Sequence, residues 1–209
     1  GVQTCALPIY LRRTGPVRYR ADVSNPRPVV GTAMTSRGPT RVDYCWFGAL
    51  CDDDYEFLGV PDPALASSWY HCRDIVLRAQ GRGFDSVLLP SGYELGIDTT
   101  AFAAGIAPHL DTMRMLMAVR IGELWIPQLA RQLATIDRMS GGRLDVNIIS
   151  SPMPGEHLDG PARYRRTLEA MQLLRTLMAG EPVDHQGEFH RLQVDPPRAR
   201  TVHGRCPDL

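Results

Sequence analysis

Four short apolar runs, separated by segments of helical period, constrain this chain more than any other feature. They are VDYCWFGAL (42–50), FDSVLLP (84–90), MRMLMAV (113–119) and RLDVNIIS (143–150). A strand with water on one face alternates polar and apolar residues. Runs that are apolar almost throughout belong to strands covered on both faces, as in a parallel sheet flanked by helices. The intervening segments supply the helices. SSWYHCRDIVLRAQGRG (67–83) places Trp69, Cys72, Ile75, Val76 and Ala79 at helical spacing, with Ser67 or Ser68 as N-cap and Gly81 or Gly83 as stop. DTTAFAAGIAPHL (98–110) is a short helix capped by Asp98. IPQLARQLATIDRMSGG (126–142) starts at Pro127 and aligns Leu129, Leu133 and Ile136 on one face. PARYRRTLEAMQLLRTLMAG (161–180) is predicted to turn Tyr164, Leu168, Met171, Leu174 and Met178 inward and to end at Gly180.

Strand and helix alternate at roughly 30 residues per unit, the length of a βαβ element. Two architectures fit: an open doubly wound sheet or a (β/α)8 barrel. No G-x-G-x-x-G follows the first strand, which weakens the dinucleotide-binding option. A barrel takes about 250 residues. The expectation is therefore an incomplete (β/α)8 TIM barrel of four to five βα units. EPVDHQGEFHRLQ (181–193) is read as a hairpin insertion turning at Gln186-Gly187, and RCPDL (205–209) ends where a fifth strand is due.

The 209 residues are 44% hydrophobic and 22% charged, an ordinary globular composition. The zero net charge gives no footprint for nucleic acid, and no apolar run approaches the roughly 18 residues of a membrane span. Five cysteines without a C-x-x-C spacing point to reduced cytoplasmic thiols rather than to disulfides, and basic residues that are all Arg, with no Lys, point to a high-GC bacterial genome. Cys45, Cys51 and His71 fit no closed zinc site, and the side chains of Asp52, Asp53 and Asp54 diverge into solvent. Residues 1–33 differ from the rest. They hold five arginines, one aspartate and four prolines without period; a chain with 23 basic and 23 acidic residues therefore keeps a net charge of −4 over 34–209. GVQTCALPI (1–9) reads as the in-frame translation of a common sequencing adapter, and Met34 reads as a start. The expectation is a non-native or disordered extension over 1–33 that packs on nothing, followed by one domain over 34–209.

RQLATIDRMSGGRLDVNIISS, followed by LDGPARYRRTLEAMQLLRTLM and EPVDHQGEFHRLQ, resembles the luciferase-like flavin-dependent monooxygenases, with the alkanesulfonate monooxygenases as the nearest branch. The likeness runs from about Val42 to the C-terminus and covers the N-terminal half of such an enzyme. It implies a (β/α)8 barrel and two-component chemistry. Reduced FMN from a separate NAD(P)H-dependent flavin reductase and O2 would oxygenate a small organic substrate, an alkanesulfonate among the candidates, in an enzyme that assembles as a homo-oligomer. A deazaflavin-dependent oxidoreductase of the same superfamily is the alternative, as is a fragment without activity of its own.

Barrel chemistry sits at the C-terminal ends of strands. The cofactor-binding candidates there are Ser91, Asp98, Arg120, Ser150 and Ser151, with Tyr164 placed by the resemblance in a flavin-contacting position. Arg120, suited to bidentate anion contacts, and Trp46 are the substrate-pocket candidates. Each has a structural alternative: Tyr164 and Trp46 as core, Arg120 as a rim ion pair, Asp98 as an N-cap, the serines as loop caps. Two departures from the family bear on substrate. Gly160 stands where some relatives carry His, and SGYELGIDTT has no Cys and is one residue longer than in alkanesulfonate enzymes. Catalytic residues are expected beyond the C-terminus of this sequence.

Overall fold

The helices start where the sequence supplies a cap. Ser68 accepts a hydrogen bond from the His71 N–H and opens α1 (Trp69–Gly81). Asp98 accepts from Ala101 N at 2.7 Å and opens α2 (Thr99–Ile106). Asp159 accepts from Ala162 N at 2.8 Å and opens α4 (Gly160–Ala179). Among the α-helices of the described residues only α3 (Ile126–Met139) lacks a side-chain cap, and Pro127 in its first turn has no N–H to satisfy. Gly180 closes α4 at φ 89°, a left-handed cap that other residues adopt at a cost. The expected helix over 98–110 tightens at Pro108 into a 3-10 turn, Ala107–His109.

This is a computed structural model, and it describes residues 9–11, 42–51, 68–93, 96–207 and 209. The expected Asp52–Asp54 loop and the Ser67 cap lie outside those residues. The strands are β2 (Asp43–Phe47), β3 (Ser86–Leu89), β4 (Arg114–Arg120) and β5 (Leu144–Ile149), all parallel and neighbouring in chain order. An open doubly wound sheet reverses its strand order at a switch point. This sheet does not, and the arrangement is that of consecutive βα units of a barrel. Residues 1–33 were expected to contact nothing. Three of them do otherwise: Ile9–Leu11 forms β1, antiparallel to β2, with Tyr10 opposite Tyr44. An edge strand offers unpaired backbone groups to any extended segment nearby, whatever its side chains.

Register assigns the faces. Trp46, Val87, Met115 and Leu144 are aligned across the sheet, and the last three belong to the buried core together with Cys72, Phe102, Leu133 and Leu174 of the four helices. This is the helix-covered face. The other face carries Phe47, Leu88, Leu116 and Ile149, all half-buried. It corresponds to the lumen side of a barrel.

The inward stripe of α4 corrects the sequence reading. Tyr164 and Leu168 are 67% and 62% exposed. The buried stripe is Arg166, Thr167, Ala170, Leu173, Leu174, Leu177 and Met178. Apolar periodicity follows side-chain type, so it could not place a paired arginine and a bonded threonine on the inner face. Beyond α4, β6 (Val183–Gln186) and β7 (Arg191–Val194) form the expected hairpin. Glu169 of α4 fastens it, accepting from His185 Nε2, Phe189 N and His190 N.

The family-like motif at the end of α3 acts at the opposite end from the strand C-termini. Buried Asp137 accepts from Val202 N at 2.7 Å and so ties down the C-terminal segment. Buried Ser140 donates to the Asp137 carbonyl and accepts from Arg143 N. In barrels that end serves stability rather than chemistry. No helix among the described residues is long and apolar enough to cross a membrane.

Candidate functional site

The site lies where β3 and β4 end. Parallel strands bring the residues that follow them to one end of the sheet, and the first turns of α2 and α3 close over that end. A cavity of about 580 Å³ results, lined by Ser91, Asp98, Thr99, Arg120, Glu123 and Gln132 among others. Its size is that of an ordinary small-molecule site.

Arg120 governs its shape. Nη2 donates to the Ser91 carbonyl at 3.0 Å and Nη1 to the Pro152 carbonyl at 2.7 Å. Nε, buried without a hydrogen-bond acceptor, faces Glu123 Oε1 at 3.6 Å. One guanidinium therefore links the loops after β3, β4 and β5. Burial pushes the Glu123 carboxyl above its usual range; Arg120 opposes the shift and Asp98 adds to it.

A second arginine supports the same end from below. Arg166 is ion-paired with Glu156 through Nη1, and both side chains are about nine-tenths buried. Its Nη2 donates to the Ile121 carbonyl at 2.9 Å. The β4–α3 loop passes over this pair at Gly122, φ 113°, where an added Cβ would lie 2.5 Å from Met153 Cε and 3.1 Å from Arg166 Cζ. The loops after β4 and β5 are thus fixed from two sides.

The expected residues divide into three groups. Ser91, Asp98 and Arg120 come together around the cavity. Asp98 does so while capping α2 and accepting from Thr100 Oγ1, so both of its readings hold in geometry. Ser150, Ser151 and Tyr164 lie beside it, at the β5–α4 junction. The Ser150 hydroxyl donates to Thr167 Oγ1 at 2.8 Å, and its carbonyl accepts from Arg163 Nε. Ser151 and Tyr164 are exposed. Trp46 stands apart. Its register puts it on the helix-covered face, edge-on to Phe84 at 5.2 Å between ring centroids, and not in the cavity. An apolar run with no alternation gives no clue to which face a given residue takes, and of the two readings of Trp46 its register agrees with packing on the helix side rather than with the pocket.

Sequence reasoning missed Glu123, Gln132, Glu156 and Arg166. Glu123 sits three residues past Arg120 and was within reach of an argument from strand ends. The others are fixed by contacts between segments distant in sequence. No cluster of three or more metal-ligating side chains occurs among the described residues.

The family model of luciferase-like monooxygenases matches residues 58–205. A sulfoquinovose monooxygenase of Novosphingobium aromaticivorans is 59% identical over 172 residues, covering 79% of this chain and 48% of that protein. One from Agrobacterium fabrum is 43% identical over 174 residues, covering 82% and 45%. The chain thus spans about half the length of these curated relatives. Among solved structures, the EDTA monooxygenase from Chelativorans sp. BNC1 superposes with a TM-score of 0.62 at 15% identity, over 75% of this chain and 47% of that one. Enzymes that depend on coenzyme F420 share the fold as well. With its parallel βα units in barrel order and a family match over most of its length, this chain belongs to the luciferase-like monooxygenase family.

Proposed function

We propose that the protein is the oxygenating component of a two-component monooxygenase that acts on a sulfonated sugar and releases sulfite. The observation that carries this reading is the 59% identity to a sulfoquinovose monooxygenase, in a chain whose cavity lies at the catalytic end of its strands. The alkanesulfonate expected from sequence gives way to a sugar sulfonate, the substrate that the relatives' names carry.

FMN fits the residues present. Phe47, Leu88, Leu116 and Ile149 offer half-buried apolar surface on the lumen face, interrupted by Asp145 and Asn147, and Ser151 and Tyr164 are exposed near the β5–α4 junction. When bound, reduced FMN supplies the electrons that activate O2. The chain's own contribution is an apolar wall that excludes water from that chemistry and a cavity whose loops Arg120 holds in place. A flavin reductase delivers the reduced cofactor. Five cysteines without a C-x-x-C spacing suit a reducing compartment, and we place the protein in the cytoplasm.

The test is aerobic turnover with FMN, NADH and a flavin reductase, scored by sulfite release. It uses the 209-residue chain and a chain carried to the relatives' length. Sulfite from sulfoquinovose is the expected result. No sulfite from any sulfonate, together with tight binding of a reduced deazaflavin instead of FMN, would replace this reading with the hydride-transfer alternative.

A further inference from the structure

β2 carries a strand on each side, and the two do not run alike. β3 pairs with it in parallel, Cys45 opposite Ser86 and Phe47 opposite Leu88. β1 pairs with its other edge antiparallel, Ile9 opposite Cys45 and Leu11 opposite Asp43. Successive residues of a strand turn their backbone groups to opposite edges. The Tyr44 carbonyl accepts from Asp85 N at 2.9 Å, and Gly48 N donates to the Leu88 carbonyl at 2.9 Å, so Tyr44, Trp46 and Gly48 face β3. Asp43, Cys45 and Phe47 face the other edge. Ile9–Cys45 and Leu11–Asp43 are therefore the hydrogen-bonded pairs of β1 with β2, and Tyr10 turns its N–H away.

In a closed eight-stranded barrel every strand has a parallel neighbour on both sides. β2 is the first of the four parallel strands, so its outer edge is where a last strand would close the ring. The backbone groups of Asp43 and Cys45 needed for closure are the ones β1 occupies. One edge cannot hold both. We propose that β1 is an edge guard: three residues that cover the rim of β2 while the sheet is open, and that give way when a parallel strand closes the barrel. An uncovered edge recruits other chains. Along β5, the opposite rim has no strand beside it among the described residues. With β1 in place a second copy finds one free edge. Without it there are two, and β5 of one copy can pair in parallel with β2 of the next, a contact that repeats from copy to copy. The guard is weak by construction. It covers three of the five residues of β2, and closing the loop of roughly 30 residues between them opposes the pairing. A strand that runs the length of β2 displaces it.

Backbone substitutions test the guard. Leu11→Pro removes a donor to β2, whereas Tyr10→Pro removes only an outward N–H. Hydrogen exchange of the 209-residue chain, followed by NMR, is expected to show the Asp43 and Cys45 amides about tenfold faster in L11P, the protection of one hydrogen bond, and unchanged in Y10P. A chain started at Met34 is expected to match L11P. The Leu116 and Val146 amides, inside the sheet, report that the fold is intact and are expected not to change. In sedimentation velocity, L11P and the shortened chain are expected to self-associate at concentrations where wild type and Y10P do not. In a chain carried to the relatives' length a parallel strand holds the edge, and L11P is expected to leave Asp43 and Cys45 protected. Equal exchange at Asp43 and Cys45 in wild type and L11P of the 209-residue chain, or equal association of all four chains, overturns the guard. Faster exchange of those amides in L11P of the longer chain overturns its displacement on closure.

Discussion

Replacing Arg166 with Met tests whether the C-terminal end of the sheet is held by a buried ion pair. Met fills much of the arginine's volume, so cavity formation contributes little. What changes is charge. Arg166 and Glu156 are 11% and 8% exposed at the side chain, so solvent screens neither. Removing one member of a buried pair costs about 3–5 kcal/mol, because the other charge stays desolvated. The Ile121 carbonyl also loses its donor, which adds about 1 kcal/mol. We expect a net loss of about 3 kcal/mol, the lower end of that range. With a urea m-value of about 2 kcal/mol/M for a chain of this size, the midpoint falls by about 1.5 M. The assay is urea unfolding followed by far-UV circular dichroism. A second variant makes the reasoning specific: R166M with E156L removes both charges and is expected to recover most of the loss. A midpoint shift below about 0.3 M for R166M, or a double variant as unstable as the single, would refute the argument from burial.

Other perturbations have equally definite outcomes. Tyr164→Ala is expected to change stability by no more than about 0.5 kcal/mol, because the side chain is exposed, and to weaken reduced-FMN binding by fluorescence titration if the ring contacts the cofactor. Asp137→Ala removes the acceptor of Val202 N and should cost about 2 kcal/mol, with hydrogen exchange accelerating first over residues 200–206. Two of the described groups contribute to the acid limb of stability. Burial holds His190 below its ordinary value, so it folds neutral, and stability falls as pH drops below about 6.5 and the unfolded chain takes up the proton. Burial raises the Glu169 carboxyl, but His185 and the Phe189 and His190 N–H groups outweigh it, and the net shift is downward. Its contribution is full above the unfolded value of about 4.3 and disappears as pH falls through the folded one. Thermal melts of E169Q against wild type should converge in that lower window, and parallel curves down to the acid limit would exclude the assignment.

The architecture was legible because period and apolar content are local properties. Four strands, four helices, their caps at Ser68 and Asp98, the Gly180 stop and the 181–193 hairpin all follow from residue type at short spacing. The barrel end that carries the cavity followed from strand direction alone, which is why Ser91, Asp98 and Arg120 meet as expected. Residue type ran out where facing depends on partners. Trp46 lies in a run without alternation, and only its register with Val87 decides its face. Tyr164 and Leu168 fit an apolar stripe, yet α4 turns Arg166 and Thr167 inward because Glu156, Ile121 and Ser150 wait there to pair with them.

The sequence by itself determined which segments become strands and helices, the order in which they recur, and the family. Those depend on hydrophobic period, caps and a long motif, all written along the chain. Tertiary structure alone decided what Arg120 holds and which carboxylates share its cavity. Polar contacts join residues tens of positions apart, and their strength comes from burial, which no residue carries on its own.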